Sequence, residues 1–425
     1  MNAGIIIFVV LLVLAFLGLP IYLSIGIATL VAMLQAGFPL EAIAQKTFLG
    51  MNSASLLCIP LFILAGNIMA QGITQKLIAA ANVPLGRVRG SLASVTVLSS
   101  ALFGAISGSA VATAAAVGGM TVPAMKENGY DKNYAVACAS CSSLLGPMIP
   151  PSISLVIYAS LTECSIQKLF MATAVPAVFC TVCFLAYTLY YGHKMKLPKQ
   201  PKTTTKEKLM VLKDSIWALF MPIIVLGLIF GGICTVSEAA AISALYSAIV
   251  GMFIYRTVSF KNLLNTLYET TISVSAIMIL VGLSKASAYV VISSQLPQLF
   301  METMTSLVSS KFVVLLMINV IFLILGCLME GNCIIVMMVP LMLNLVNSFG
   351  IDLIQFGILT CINIYIGCIT PPVGVSLLVG AKLGDTSVGG AFKSCLPFFA
   401  ISLVILLLVS YVPSFTLWLP NLLAQ

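Results

Sequence analysis

The sequence predicts an all-α polytopic membrane protein with two inverted repeats, each of about five spans and a re-entrant helical hairpin. Of its 425 residues, 60% are apolar and only 8% are charged, and the mean hydropathy is +1.15. So few charges cannot cover a soluble surface. Apolar windows of about 20 residues, the length that crosses a bilayer, recur from Gly4 to Val412. One long apolar segment in each half is also interrupted, at matching positions, by Gly- and Pro-rich sequence.

A Lys-rich hydrophilic stretch, residues 193–214, separates the first repeat (residues 1–192) from the second (residues 215–425). An offset of 221 residues aligns Gly, Asp and Pro residues of the first half with identical residues of the second. Gly and Pro each make up only about 5 to 7% of average sequence, so this run of matches indicates an internal repeat. The matched pairs are Gly129 and Gly350, Asp131 and Asp352, Gly146 and Gly367, Pro150 and Pro371, Pro151 and Pro372, and Pro176 and Pro397.

The first repeat begins with apolar spans near residues 4–19, 21–36 and 52–70, which are followed by an arm at 73–85. Residues 87–128 form two short apolar arms around a Gly- and Ser-rich turn at 104–109. Arms too short to span, joined without charges, predict a re-entrant hairpin. A broken helix at 133–160 and a last span at 171–192 complete the repeat.

The second repeat has the same plan, with spans near residues 215–232, 236–255, 266–284 and 393–412. Its hairpin is residues 311–349 and its broken helix is 352–380. An odd number of spans makes the second repeat enter the membrane from the opposite side, and the Lys-rich linker lies in the cytoplasm by the positive-inside rule. If residues 4–36 formed one span, the count would be even and the repeats parallel.

The broken helices are the first candidates for a transport site. Proline removes a backbone donor and clashes with the preceding turn, so neither segment can remain one continuous helix. Unpaired backbone groups in a membrane are tolerated where they line a cavity, and paired broken helices point to a binding site. A simple proline kink is the alternative. The substrate and helix-break candidates are Pro147, Pro150, Pro151, Asn332, Pro371 and Pro372.

The two hairpin tips, residues 107–109 and 326–332, are rich in oxygen atoms and in glycine. Each tip joins the negative end of one half-helix to the positive end of the next, so a cation and an anion could bind side by side. Close helix packing is the alternative role for the small residues. Glu330 is either an ion or gating carboxylate or a structural hydrogen-bond acceptor. Asp131, Asp352 and Glu238 are predicted to be helix caps.

Five motifs carry a family resemblance that covers nearly the whole chain. The sequence resembles the large membrane subunit, of the DctM/SiaM type, of tripartite ATP-independent periplasmic (TRAP) transporters. The motifs are Pro60-Leu-Phe-Ile-Leu-Ala-Gly66, Ser107-Gly-Ser-Ala-Val-Ala-Thr113, Gly146-Pro-Met-Ile-Pro-Pro151, Thr235-Val-Ser-Glu-Ala-Ala-Ala241 and Gly367-Cys-Ile-Thr-Pro-Pro-Val-Gly374.

The resemblance implies a Na⁺-coupled importer of a small organic anion, of the sialic acid or C4-dicarboxylate class, with an elevator-type mobile domain. It also implies a bacterial inner-membrane location, no cofactor, a small four-helix membrane subunit and a periplasmic substrate-binding protein as partners. From motif position, the Na⁺ candidates are Ser107, Gly108, Ser109, Gly146, Glu330, Gly331, Gly367 and Thr370.

Other function classes fit the sequence less well. No G-x-x-x-x-G-K-[ST] motif occurs, so ATP hydrolysis is not expected. An intramembrane protease would need a base for Ser107 or Ser109, but the only histidine, His193, begins the linker. The formal charge of +8 reflects the positive-inside rule rather than a nucleic-acid surface. A stand-alone Na⁺/dicarboxylate symporter, which works without a binding protein, remains an alternative.

Overall fold

The computed structural model describes residues 2–199, 204–308 and 310–423, apart from the side chains of Phe16 and Leu307. These residues contain helices, turns and loops and no strand. The helices up to the linker, with a 3₁₀ turn at Ala54–Leu57, are α1 (Ala3–Phe16), α2 (Ile21–Ala36), α3 (Glu41–Met51), α4 (Cys58–Ala70), α5 (Ile73–Leu85), α6 (Ser91–Ser107), α7 (Ala110–Glu127), α8 (Lys132–Ser142), α9 (Leu145–Met148), α10 (Ile153–Thr162) and α11 (Ile166–Lys194).

After the linker come ten more helices, and a π-helical turn at Val250–Ile254 extends α13. They are α12 (Thr205–Phe230), α13 (Val236–Ile249), α14 (Phe260–Ser293), α15 (Leu296–Leu307), α16 (Lys311–Leu328), α17 (Gly331–Ser348), α18 (Leu353–Gly367), α19 (Val375–Gly384), α20 (Val388–Tyr411) and α21 (Ser414–Leu423).

Seven helices in the described part of the chain are long and apolar enough to cross a membrane. They are α11, α12, α13 with its π turn, α14, α16, α17 and α20. Two bent helix pairs raise the number to nine if each pair is one span. The first pair joins α3 to α4 with a bend of 58°, and the second joins α8 and α9 to α10 with a bend of 41°. The chain is therefore a multi-pass membrane protein.

Several helix boundaries differ from the sequence-based ones. The span expected at 266–284 lies within α14, whose 34 residues start at Phe260, directly after the Ser259 cap. The last ten residues of the predicted linker belong to α12, because Thr204 and Glu207 form a capping box there. Residues 200–203 of the linker lie outside the described residues. The span expected at 171–192 begins earlier, at Ile166 after the Ser165 cap.

The predicted helix caps are confirmed. Asp131 Oδ1 accepts from the backbone N–H of Tyr134 at 2.9 Å, and Asp352 Oδ1 accepts from that of Ile354 at 2.8 Å. Glu238 Oε2 accepts from the backbone N–H of Thr235 at 2.8 Å, which completes a capping box. These carboxylates satisfy backbone donors that a helix start leaves free.

The helices pack in two groups that each draw on both halves of the sequence. The first group contains α1–α5 and α12–α15, in which α3 packs on α14, α4 on α13 and α5 on α12. The second group contains α6–α11 and α16–α21, in which α7 and α8 pack on α19, α8 on α20 and α16 on α18. Contacts of α5 with α6 and of α15 with α17 join the groups most extensively, and α4 with α6 and α14 with α17 join them too.

Candidate functional site

The first hairpin tip is a two-residue turn between α6 and α7. Gly108 has φ +60°, a left-handed conformation that glycine adopts without a steric penalty. Ser109 caps α7, and its Oγ accepts from the backbone N–H of Ala112 at 3.3 Å. Thr113 Oγ1 donates to Ser109 O at 2.7 Å and shares a hydrogen bond of 3.2 Å with Ser107 Oγ. The tip therefore concentrates hydroxyl and carbonyl oxygens.

This tip packs directly against the first broken helix. A β-carbon on Gly104 would lie 2.4 Å from Cα of Gly146, and one on Gly108 would lie 2.4 Å from the carbonyl oxygen of Pro151. Only glycine permits such close backbone approach. The break itself lies between α9 and α10, and the Pro150–Pro151 peptide bond in it is cis.

The second tip is built around Glu330, which caps α17. Its Oε2 accepts from the backbone N–H groups of Asn332 at 3.1 Å and Cys333 at 3.4 Å, while Oε1 accepts from Asn332 Nδ2 at 2.9 Å. The structural hydrogen-bond role considered for Glu330 is thus present. Its side chain is exposed at the edge of a cavity.

The second tip packs against the second broken helix as the first does against its own. A β-carbon on Gly367 would lie 2.4 Å from Cα of Gly326. The backbone N–H of Val373, within the break between α18 and α19, donates to the carbonyl of Cys327 at 3.2 Å. The Pro371–Pro372 bond in this break is also cis. The hairpins differ, however, because α6 packs along α7, whereas α16 packs mainly on α18 and α17 mainly on α10 and α15.

Two side-chain hydrogen bonds connect the two halves at the breaks. Ser154 Oγ, in the first turn of α10, donates to Asn332 Oδ1 at 2.9 Å. Ser152 Oγ, which caps α10, shares a hydrogen bond of 3.1 Å with the hydroxyl of Tyr365 on α18. The first broken helix therefore contacts both the tip and the broken helix of the second half.

A cavity of about 560 Å³ lies between the tips and the first packing group, and we call it the tip cavity. Its size is typical of a small-molecule site, about 300 to 1,000 Å³. Polar side chains from both tips, α2, α4 and α14 line it together with apolar ones. The polar lining residues are Tyr22, Asn67, Ser107, Ser109, Ser273, Glu330 and Asn332.

The structure brings some of the candidate residues to the tip cavity and places the others behind it. Among the Na⁺ candidates, Ser107, Ser109 and Glu330 line it, and the substrate candidate Asn332 does too. Gly108, Gly146 and Gly367 lie at close backbone contacts, and Gly331 lies against a side chain, since its β-carbon would be 2.2 Å from Ile364 Cγ2. Thr370 Oγ1 donates to the carbonyl of Ile366 at 2.8 Å. Neither Thr370 nor the prolines at positions 147, 150, 151, 371 and 372 are part of the cavity lining.

Sequence reasoning missed the residues of α4 and α14 that close the tip cavity. Asn67 lines it, and its Nδ2 donates to Thr270 Oγ1 on α14 at 2.9 Å. Ser273 lines it one turn after Thr270. An amide directly after a motif glycine in an apolar helix was the available signal for Asn67, since polar residues inside a membrane are functional candidates.

The tip cavity has an unbalanced charge. Glu330 is its only carboxylate, and no Lys, Arg or His is among the described lining residues. A cation would find a carboxylate and hydroxyl oxygens here, whereas an anion would find no basic side chain to pair with. The start of α17 and the start of α7, whose ends carry partial positive charge, are the electropositive features at the cavity.

Apolar multi-pass helices, two matching helix breaks and the tip cavity are the features of a membrane transport protein. Comparison with known families specifies the class. Residues 8–415 match the family model described as "Tripartite ATP-independent periplasmic transporter, DctM component". The chain belongs to this family and is one component of a three-part transporter.

Named relatives are similar over nearly the whole chain. The C4-dicarboxylate TRAP transporter large permease protein DctM of Pseudomonas aeruginosa is 35% identical, with 94% of each chain covered. The sialic acid TRAP transporter large permease protein SiaM of Vibrio cholerae is 32% identical, with 96% of each covered. The isethionate TRAP transporter permease protein DctMQ of Oleidesulfovibrio alaskensis is 36% identical over 93% of this chain but only 63% of its own length.

The fold is also similar to that of a solved transporter. The YdaH transporter of Alcanivorax borkumensis superposes with a TM-score of 0.58 at 15% identity, covering 85% of this chain and 86% of that one. At this identity the comparison supports the shared helical architecture and no shared substrate.

Proposed function

We propose that this chain is the large permease subunit of a Na⁺-coupled importer of a small organic anion in the bacterial inner membrane. The observation that carries the proposal is the tip cavity, which offers one carboxylate and several hydroxyls but no basic side chain among its described lining residues. An anion could enter such a cavity only with a compensating cation. A coupling cation would meet that requirement, and we propose that it is Na⁺.

The cation would bind at the oxygens of the tips. Ser107 Oγ, Ser109 and the Glu330 carboxylate line the same cavity, and half-helix ends commonly coordinate Na⁺ in transporters. The glycines behind the tips let the backbones of tip and broken helix approach closely, which is where carbonyl ligands would come from. We assign Gly108, Gly146, Gly331, Gly367 and Thr370 this backbone role.

The anion would bind beside the cation, at the positive end of α7, since the Glu330 carboxylate already accepts the first N–H groups of α17. Helix N-termini attract carboxylates through aligned peptide dipoles and free N–H groups. Asn332 stands at the start of α17 and lines the cavity, so its amide is the side chain best placed to contact a carboxylate. Two of the three named relatives favour sialic acid or a C4-dicarboxylate as the substrate class, and the third is named for isethionate, which is also a small organic anion.

An elevator mechanism would move the second packing group against the first. The hairpins and broken helices all belong to the second group, while α2, α4 and α14 supply the opposite cavity wall. A cavity at the boundary between two packed groups would change its exposure when they slide. Inverted repeats would supply an outward-open and an inward-open state. If the two halves exchange conformations, the cavity opens to the other side of the membrane.

Two partners complete the proposed transporter. A small four-helix membrane subunit would cover apolar side chains of the first group, such as Ile223, Leu245 and Ile272, which are exposed in this chain. A periplasmic substrate-binding protein would deliver the anion. The relative DctMQ is longer than this chain, as expected if a small subunit is fused to the large one.

The experiment is uptake of labelled succinate and N-acetylneuraminate into proteoliposomes that contain this chain and its small subunit. Accumulation is expected only when both an inward Na⁺ gradient and the binding protein are supplied. An equal K⁺ gradient is the matched control. Uptake without the binding protein would instead identify a stand-alone Na⁺/dicarboxylate symporter, and uptake that ignores Na⁺ would overturn the coupling.

A further inference from the structure

A second large cavity, of about 540 Å³, lies in the same boundary between the packing groups, and we call it the lysine cavity. Lys46 on α3 and Lys285 on α14 line it together with Tyr289, Gln298 and Asn344. None of its described lining residues is acidic. Its charge is thus opposite to that of the tip cavity, whose one charged lining residue is Glu330.

The two lysines are held close together by the contact of α3 with α14. A β-carbon on Gly50 would lie 2.7 Å from Cγ of Lys285, so the stem of Lys285 crosses α3 one turn from Lys46. The Lys46 ammonium in turn lies 5.0 Å from the ring centre of Tyr289, one turn after Lys285 on α14. Both side chains are half-buried, which makes their positive charges costly.

The lysine cavity and the tip cavity follow one another along α10, α14 and α17. On α10 the tip cavity contacts Ile153 and the lysine cavity contacts Leu161, a separation of about 12 Å at the helical rise. On α14 the nearest lining residues of the two cavities are Leu280 and Lys285, about 7 Å apart. A narrow space of about 20 Å³, lined by side chains of α1, α2, α14 and α17, adjoins the lysine cavity at Ala288.

We propose that the lysine cavity is a second anion site, a vestibule in which a carboxylate of the substrate binds between Lys46 and Lys285 before it reaches the tip cavity. The identity of the ligand rests on the proposed function, since a carboxylate importer must conduct its substrate along the boundary in which both cavities lie. Two neighbouring ammonium groups with amide donors from Gln298 and Asn344 are suited to a small organic anion.

Lys285 also connects this site to the moving group. Its Nζ donates to the carbonyl oxygen of Ser160 near the end of α10 at 2.7 Å, so it joins α14 of the first group to α10 of the second. Glu163, which ends α10, acts electrostatically on Lys285 but is not in the cavity lining. A carboxylate competes well with a neutral carbonyl for an ammonium group, because charge-assisted hydrogen bonds are stronger. Anion binding would therefore release Lys285 from α10.

The test measures the acylation rate of individual lysines in the purified full chain by peptide mass spectrometry, in Na⁺-free buffer. Succinate or N-acetylneuraminate at about twice its Kd should slow acylation of Lys46 and Lys285 about threefold. Lys311 is the matched control, since its Nζ also donates to a carbonyl, that of Gly350 at 2.8 Å, but it is not in the cavity lining. Acylation of Lys311 should not change.

Variants test whether the two lysines form one site. Lys46→Gln should remove the protection of Lys285, and Lys285→Gln should remove that of Lys46, with thermal unfolding in detergent used to verify folding. No protection of the wild-type protein by either carboxylate, or equal protection by chloride at the same ionic strength, would overturn the vestibule. Because Na⁺ is absent, this outcome is independent of Na⁺-driven uptake, which tests the proposed function separately.

Discussion

Ser154 Oγ donates a hydrogen bond of 2.9 Å to Asn332 Oδ1, and it connects residues of the two halves that lie 178 positions apart in the sequence. The same amide donates from Nδ2 to Glu330 Oε1 at 2.9 Å. Asn332 therefore holds the first broken helix, the second hairpin tip and the only carboxylate of the tip cavity in one arrangement.

Replacement of Asn332 should impair transport more than replacement of its partner. Ser154→Ala removes one neutral hydrogen bond, worth about 0.5 to 1.5 kcal/mol, so initial uptake should fall about two- to tenfold. Asn332→Ala also removes the donor to Glu330 and the amide at the cavity. Its initial uptake should therefore fall by more than tenfold. The measurement is initial uptake in proteoliposomes at matched protein content. Equal effects of the two variants would show that Asn332 acts only through Ser154.

The close contacts of the tips with the broken helices should tolerate no side chain. Gly104→Ala and Gly367→Ala each place a β-carbon 2.4 Å from backbone atoms of the facing glycine. Overpacking of this kind costs about 1 to 3 kcal/mol, so both variants should have a lower Tm in detergent and reduced uptake.

Gly119→Ala is the control for these contacts, since its β-carbon would have no atom within 4 Å. It should leave Tm and uptake near the wild-type values, because alanine favours a helix over glycine. A wild-type Tm and normal uptake for Gly104→Ala would contradict the rigid contact of tip and break.

The interruptions of the helices could be predicted from the sequence because their causes are local. Glycine and proline act on their own backbone, so the breaks after Met148 and Gly367 and the turn at Gly108 follow from residue types. The caps at Asp131 and Glu238 were predictable for the same reason, since each bonds a backbone N–H within three residues. Most of the residues proposed for the tips were identified from such local residue types, before any packing was known.

The far wall of the tip cavity could not be predicted from the sequence, because it depends on how apolar helices pack. In a membrane both the packed and the lipid-facing sides of a helix are apolar, so the pattern of α14 does not indicate which side faces the tips. Asn67 and Ser273 became site residues only through the packing of α4 and α14. The same packing places Lys285 beside Gly50, a contact between residues 235 positions apart.

Asn67 should contribute to binding of the transported ligand from this far wall. Its Nδ2 is held by Thr270 Oγ1, which leaves the amide positioned at the cavity. Asn67→Ala should raise the substrate concentration for half-maximal uptake about two- to tenfold, the value of one neutral hydrogen bond.

Gln71 provides a matched control one turn further along. Its Nε2 contacts Thr266 Oγ1 on α14 in the same manner, but Gln71 is not in the lining of the tip cavity. Gln71→Ala should leave half-saturation unchanged. If both variants weaken uptake equally, the amides only join α4 to α14 and have no binding role.

The capping role of Glu330 can be distinguished from a role as an ion ligand, because Glu238 caps another helix outside the tip cavity. Glu330→Gln keeps an oxygen that can accept from Asn332 and Cys333 but removes the negative charge. A hydrogen bond or contact to a charged group is worth about 1.5 to 3 kcal/mol, so the Na⁺ concentration for half-maximal uptake should rise about ten- to a hundredfold. Glu238→Gln makes the same change in the capping box of α13, at an exposed site that is not in the cavity lining. Its Na⁺ response should stay at the wild-type value, and an unchanged response for Glu330→Gln as well would assign Glu330 to capping alone.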